Sequence, residues 1–425
     1  MSTTSMSLES LQFLLQHMDA NRRFEIYNRC PSLREFEKSV PLKIDFLVLT
    51  ENHVIINDVT YKLGIIRKYN VGETPQYVTD SNETGGLTHE VDRYGIKNEL
   101  DAFTVTPGDV EMKLSGERWI PDEDSLIRYL ERRIQRDQGR LAREREMGLN
   151  NQSMVDYWRT MIEVGRAKLF DCECRRDNIP PNFEHFFQLT KSRAVDEQEQ
   201  RTIQRYVHNK KYSEAMKQLT TELLGGRSSP ISVTKFKFVC TAGVIRLPIK
   251  VKFLVEQLMF NGGVRATLEA LAPISHESSY PLKKLAVRFL PLDEVNNPIV
   301  RTAGILRIRD TVTNIPQALS SITNPVVRIS IATLPEEAIE ELVENWIALN
   351  RPVGNEYIFD FFRGPRFASD VEDMLKKHNG APVDDENIII PMSNATQLKV
   401  SYGPFPVFAP RSKWAVRFST EAITH

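Results

Sequence analysis

The sequence has few cysteines, almost no net charge and no long apolar run, and each shortage excludes a class of protein. Its 425 residues include four cysteines, too few for a disulfide framework, so we expect a reducing compartment, the cytoplasm or the nucleus. No apolar stretch approaches the roughly 18 residues of a membrane-spanning helix, and residues 1–10 lack the basic start of a signal peptide. A formal net charge of −1 argues against binding nucleic acid or membranes over a whole surface. We therefore expect neither a membrane nor a nucleic-acid partner.

Motifs that carry catalysis or metal binding are also missing. Cys172 and Cys174 with His185 match no common zinc spacing. His89-Glu90 lacks the second histidine of a zinc peptidase helix. The glycine pairs lack the remainder of a phosphate loop, and Gly-x-Ser-x-Gly does not occur. We therefore expect that the chain is not an enzyme and binds no cofactor and no metal. An enzyme without a recognisable motif remains the third of three hypotheses for its function.

Three short alternations of apolar and polar residues recur at a fixed spacing. They occupy residues 285–289, 306–310 and 327–331, with equivalent positions 21 residues apart. Alternation with period two predicts strands, and a constant offset near 20 residues is typical of stacked repeats. We therefore predict parallel strands side by side. Leu282, Leu285 and Val287 partly follow the leucine-rich-repeat pattern, although Asn324 replaces an apolar residue in the third repeat.

A helix is predicted after the third repeat. Thr333 to Glu336 has the sequence of a capping box, and apolar residues follow at helical spacing. Trp346 lies seven residues after Ile339, on the same helical face. We predict that Trp346 is buried between this helix and the strands.

Four arginines alternate with the apolar residues of the repeats. Arg288 and Arg309 are one period apart, and so are Arg307 and Arg328. Parallel stacking would place them on one face in two rows, which predicts binding of an acidic or phosphorylated protein segment. The alternative is a solvated strand face whose arginines are neutralised by acids such as Glu336, Glu337 or Asp310.

The remaining segments predict an α+β protein. A small N-terminal helical unit precedes a β-rich region, and the chain closes with a strand–helix array that resembles leucine-rich repeats. A hairpin turn is predicted at Asn57-Asp58 and a helix from Arg201 to Leu224. The predicted segments are a helical unit (1–39), a β-rich half with hairpins (40–120), a mostly helical, charged insertion (121–226) and a repeat-like interaction domain (227–425).

Two octets are nearly the same, residues 41–48 and residues 248–255. Five of their eight positions are identical. Either the two halves of the chain arose by duplication, or two strands converged on one alternation.

Ten short stretches in order resemble a nematode family of F-box C, or F-box-associated, proteins. They are residues 29–33, 40–44, 57–64, 177–181, 225–230, 280–283, 299–303, 345–346, 351–354 and 390–392. The resemblance implies an N-terminal F-box-like segment that docks the Skp-type adaptor of a cullin–RING ubiquitin ligase. The usual Leu-Pro opening is replaced here by Leu8-Glu9. The resemblance assigns adaptor docking to Leu11, Leu14, Leu15, Met18, Phe24 and Leu33.

Two functions compete ahead of the enzyme. The first is a protein-interaction module that serves as the substrate receptor of such a ligase, with a Skp-type adaptor and an unknown protein substrate as partners. The second is a scaffold or ligand-recognition protein without adaptor contact, whose first residues only cap the sheet.

Overall fold

The structure of the chain is a computed structural model. It describes residues 7–98, 103–113, 122–146, 152–195, 198–309, 319, 321–330, 336–361, 375–376, 381–384, 387–393, 395–403 and 414–423. The predicted capping box at 333–336 therefore lies largely outside the described residues.

The helices and strands are numbered in chain order. The helices are α1 (Leu8–His17), α2 (Ala20–Arg29), α3 (Arg34–Ser39), α4 (Gln76–Glu83), α5 (Glu123–Glu146), α6 (Gln152–Arg176), α7 (Tyr212–Leu224), α8 (Val264–Leu271), α9 (Pro298–Thr302) and α10 (Glu336–Ala348). The strands are β1 (Lys43–Thr50), β2 (His53–Ile56), β3 (Val59–Tyr69), β4 (Val110–Met112), β5 (Phe183–Val195), β6 (Gln198–Val207), β7 (Ile231–Val239), β8 (Gly243–Ile245), β9 (Phe253–Phe260), β10 (Lys284–Val287), β11 (Ile305–Ile308), β12 (Val326–Ser330), β13 (Glu356–Phe361), β14 (Ala381–Asp384), β15 (Asn387–Pro391), β16 (Thr396–Gly403) and β17 (Trp414–Ala422).

The chain folds into two compact units. The first contains residues 1–48, 227–241 and 252–425, and the second contains residues 49–226 and 242–251. Together they give an α+β protein with a large mixed sheet and several helices.

The first unit is built on a sheet whose central strands are parallel. Strands β7, β9, β10, β11, β12 and β13 pair in parallel, and β17, β16, β15 and β14 continue the sheet antiparallel. Leu285 pairs with Leu306, which pairs with Val327. The 21-residue spacing is thus the pairing register, and the prediction of parallel strands is confirmed.

One face of this sheet forms the core of the first unit. Alternate residues of the parallel strands, such as Leu285, Leu306 and Val327, are fully buried. Phe359 and Phe418 extend this core across the antiparallel strands, with ring planes at 90° to each other. Because successive side chains of a strand lie on opposite sides of the sheet, the intervening residues lie on the face away from this core.

Trp346 of α10 is buried in this core, as predicted. The residue is 0% exposed, and its indole Nε1 donates a hydrogen bond to Thr420 Oγ1 at 2.9 Å. Its ring meets Tyr357 edge-on at 4.9 Å. Arg351 places its guanidinium 5.1 Å from the Trp346 ring centre, so the indole joins α10 to β13 and β17.

Asn324 has a definite role in the third repeat. Its buried side-chain nitrogen donates to the backbone oxygens of Val300 (2.7 Å) and Ala303 (2.8 Å). Both carbonyls belong to the preceding repeat, at the end of α9. The asparagine therefore donates to buried carbonyls at the end of α9, which an apolar residue could not do.

A buried ion cluster fastens the N-terminal helices to the rest of the first unit. Arg23 Nε donates to Glu37 Oε1 at 2.8 Å, and Arg227 Nη2 approaches the same oxygen at 3.1 Å. Arg23 Nη2 also donates to the carbonyl oxygens of Glu37 (2.8 Å) and Val40 (2.7 Å). Burial lowers the pKa of both guanidinium groups, and Glu37 opposes that shift.

The second unit contains an antiparallel sheet ordered β2-β3-β5-β6. The predicted turn at Asn57-Asp58 joins β2 to β3, and Asn57 adopts a left-handed φ of 55°. Helices α5 and α6 pack together through Ile127, Leu130 and Cys172.

The predicted helix from Arg201 to Leu224 is wrong in its first half. Residues 198–207 form β6, and the helix α7 begins only at Tyr212. Ile203, Tyr206 and Val207 have helical spacing, but ten residues of β6 pair with β5. Those backbone hydrogen bonds decide the conformation, because local spacing is a weak signal in a short segment.

The two similar octets do not form equivalent structures. Residues 43–48 of the first octet already belong to β1, whereas residues 248–252 precede β9. Lys250 adopts a left-handed φ of 64° there.

Candidate partner-binding face

The side of the first unit's sheet that faces away from its core is rich in basic residues, and we call it the cationic face. Across the strands, Lys237 pairs with Met259, Met259 with Ala286, and Ala286 with Arg307. The same row continues through Arg328, Ile358 and Arg417. The row before it contains Lys235, Gln257 and Lys284.

Arg307 and Arg328 lie side by side on neighbouring strands. They are a registered pair of β11 and β12, and both are half-buried. Like charges directly across two strands repel one another. The register therefore places two like charges on neighbouring strands of this face.

Arg309 and Arg288 extend the face beyond the ends of their strands. The backbone N–H of Arg309 donates to Val287 O at 3.1 Å, which keeps β11 against β10. The Arg309 side chain reaches Met259 Sδ at 3.0 Å, two strands away, across the small Ala286. Arg288 is exposed, whereas Arg309 and Arg328 are half-buried.

Electrostatic repulsion on this face is visible at Lys284. Burial lowers the pKa of Lys284, and the positive charges of Arg307, Arg328, Arg309 and Lys235 lower it further. The pKa of Arg309 is also lowered, by burial and by Arg307. Basic groups in this part of the face therefore disfavour one another's charge.

Described acids also lie on the face, and one of them, Glu421 of β17, forms an ion pair with Lys399 at 3.6 Å. Glu356 forms an ion pair with Arg417. Burial raises the pKa of Asp360, while Arg307, the Ser330 hydroxyl and Arg328 act in the opposite direction. The acids that the alternative reading invoked lie outside the described side chains: Glu336, Glu337 and Asp310.

Sequence reasoning missed part of this face. It did not include Lys284, Lys235 or Asp360. The alternation Lys235-Phe236-Lys237-Phe238 was the available signal, since it predicts a strand with one basic and one apolar side.

The predicted adaptor-docking residues divide into three groups. Leu15 and Phe24 are buried. Leu11, Met18 and Leu33 are half-buried, and Leu14 is 43% exposed. Two further apolar side chains of α1 that the prediction omitted are also exposed, Leu8 (70%) and Phe13 (65%).

Other clusters in the described residues show no metal or membrane site. No three His, Cys, Asp or Glu side chains of the described part come together in an arrangement that could hold a metal ion. Cys172 and Cys174 are buried, and burial raises the pKa of the Cys172 thiol to about 11. Within the described ranges, helices are too short or too polar to cross a lipid bilayer.

Comparison with known proteins gives one family match. The model of a family described as a domain of unknown function (DUF3557) matches residues 211–363, about a third of the chain. The matched region begins at α7 and includes all six parallel strands of the first unit. No curated protein and no solved structure has significant similarity to the chain.

Proposed function

We propose that this chain is a protein-interaction module whose cationic face binds an acidic or phosphorylated protein segment. The observation that carries the proposal is the strand register, which pairs Arg307 with Arg328 and places Lys284 in the neighbouring row of the same face. Repulsion by these positive charges lowers the pKa of Lys284 beyond the effect of burial. A bound anion would relieve that repulsion.

The chemistry of the face favours carboxylate or phosphate. Guanidinium groups present several donors in a planar fork that matches these anions, and two neighbouring forks can bind one dianion. Arg307 and Arg328 are held on paired strands, so their backbone positions are fixed before binding.

The double variant Arg307→Gln/Arg328→Gln tests this proposal. We expect about a tenfold or larger loss of affinity for a labelled peptide of alternating phosphoserine and glutamate, since each charge-assisted hydrogen bond contributes about 1.5–3 kcal/mol. The measurement is fluorescence anisotropy at two salt concentrations, with a serine–glutamine peptide as the neutral probe.

Arg265→Gln/Arg301→Gln is the matched control, because both arginines are exposed on helices of the same unit. It removes the same net charge and should leave the affinity nearly unchanged. Equal losses in the two double variants would mean that the peptide responds to net charge alone, and the cationic face would not be its site.

We further propose that the chain is the substrate receptor of a cullin–RING ubiquitin ligase, with α1 docking a Skp-type adaptor. Its support is the family resemblance together with the exposed apolar side chains of Leu8, Phe13 and Leu14 on α1. The second candidate is a scaffold without adaptor contact, which the buried Leu15 and Phe24 favour.

Point variants separate these two candidates better than a deletion of residues 1–38. Such a deletion removes Glu37 and leaves Arg227 without that carboxylate, so it would damage the fold. Phe13→Asp/Leu14→Asp alters only exposed side chains. We expect this variant to lose binding to a purified Skp-type adaptor in a pull-down.

The control is Leu349→Asp/Val353→Asp, since both residues are 56% exposed and lie far from α1 in sequence. Adaptor binding should persist in this control. If the wild-type chain does not bind the adaptor, the proposal of a substrate receptor is wrong and the scaffold function replaces it.

A further inference from the structure

The second unit contains a cavity of about 770 Å³ between β3, α4, α5, α6 and the loop before residue 98. This volume lies in the range of roughly 300–1,000 Å³ typical of small-molecule sites. Aromatic rings of Tyr77 and Tyr129 line it. Apolar side chains form much of the remaining wall: Ile65, Val78, Leu87, Ile96, Leu126 and Leu130.

The deep basic groups of the cavity are matched by acids. Arg67 Nη1 contacts Asp171 Oδ2 at 3.0 Å, and both side chains are about nine-tenths buried. Arg175 contacts Asp92 at 3.2 Å and Glu123 at 2.7 Å. These pairs are part of the wall and account for both aspartates of the cavity.

Arg67 is held rigidly in this wall. Its guanidinium lies 4.8 Å from the Phe183 ring centre and donates to Gly95 O at 2.6 Å. Gly95 has a φ of 77°, and a Cβ there would lie only 1.9 Å from Arg67 Nη2. The loop can therefore fold over the guanidinium only with glycine at position 95. Arg67 Nε is buried, and within the described residues it has no hydrogen-bond acceptor.

Two other cations of the cavity are not balanced in this way. Lys168 of α6 lines the cavity and is exposed, which places it at the opening. In the described part of the chain, no acid or hydrogen-bond acceptor lies within bonding distance of its ammonium group. Arg133 of α5 is paired less closely, since its Nε lies 3.7 Å from Asp137 Oδ2 and its Nη2 lies 4.0 Å from Met161 Sδ. Partial burial lowers the pKa of Lys168 and repulsion by Arg133 and Arg67 adds to that effect, while Asp171 and Cys172 act in the opposite direction.

We propose that this cavity binds a small organic anion, a carboxylate or a phosphate monoester attached to an apolar body, with its charged end at Lys168 and Arg133. The apolar walls take the body of the ligand, since burying apolar area provides the main driving force. Lys168 and Arg133 orient the ligand by attracting its charged end. This site lies in the second unit and does not depend on the cationic face.

Isothermal titration calorimetry on the full chain tests the proposal with matched probes. Naphthalene-1-acetate and 1-naphthyl phosphate are anions with an apolar body, and naphthalene-1-acetamide is the neutral counterpart of the first. For probes of this size we expect a Kd of about 1 mM or lower for at least one anion. The amide should bind about tenfold more weakly, because it lacks the charge that Lys168 and Arg133 attract. The stronger of the two anions identifies the headgroup.

Variants on α6 assign the probe to the cavity. Lys168→Gln should weaken anion binding about tenfold and leave amide binding unchanged. Arg166→Gln removes a nearby exposed charge outside the cavity lining and should change neither. Val164→Phe fills part of the cavity and should weaken all three probes. A thermal melt of each variant verifies that it is folded.

Three results would overturn the proposal. The first is that neither anion binds even when its concentration exceeds about 1 mM several-fold. The second is that the amide binds as tightly as the acetate. The third is that Val164→Phe, still folded, leaves anion binding unchanged, which would place the probe elsewhere.

Discussion

Replacing Trp346 with alanine is expected to lower the free energy of unfolding by about 3–5 kcal/mol, the usual cost of truncating a buried large side chain. The indole is 0% exposed and contacts both Tyr357 and Thr420. Its loss leaves a cavity and removes the hydrogen-bond partner of a buried hydroxyl. Urea titration followed by circular dichroism measures the effect without using tryptophan fluorescence.

Leu349→Ala is the control for this prediction, because Leu349 follows α10 directly and is 56% exposed. We expect a change within about 0.5 kcal/mol there, as for most surface substitutions. An equally small change for Trp346→Ala would mean that α10 does not pack on the sheet in solution.

Glu37→Gln is expected to destabilise the first unit by about 3–5 kcal/mol, although it changes hardly any volume. Glu37 is the carboxylate shared by Arg23 and Arg227, and all three side chains are at most 3% exposed. Without its charge, two buried guanidinium groups repel each other in a region of low dielectric constant. Burial already lowers the pKa of both. Thermal and urea unfolding measure the loss.

Glu25→Gln is the matched control for the charge. Glu25 pairs with Arg22 at 3.0 Å, but their side chains are 46% and 63% exposed. Exposed pairs contribute about 0–1 kcal/mol, so this variant should behave like the wild type. If Glu37→Gln is no more destabilising than Glu25→Gln, the cluster does not anchor the N-terminal helices.

The strands of the repeat region could be predicted from the sequence because the pattern that specifies each strand lies within a few consecutive residues. Leu285, Leu306 and Val327 each belong to a strand whose alternation is visible within five residues. A constant spacing then sets the register, because a slip by one residue would turn every apolar side chain away from the core. The same reasoning predicted the hairpin at Asn57-Asp58 and the burial of Trp346.

Other features became visible only in the tertiary structure, because they join residues that are distant in sequence. Glu37 and Arg227 are separated by 190 positions, and no periodicity connects them. The strand β6 was predicted as helix because its pairing with β5 outweighs the spacing of Ile203 and Tyr206. The cavity also depends on the packing of α5 and α6 against β3, and Lys168 and Arg133 are adjacent only because those helices pack together. The sequence by itself thus determined the three repeat strands and their register through short-range alternation, whereas long-range packing decided which charges are buried, paired or exposed to a ligand.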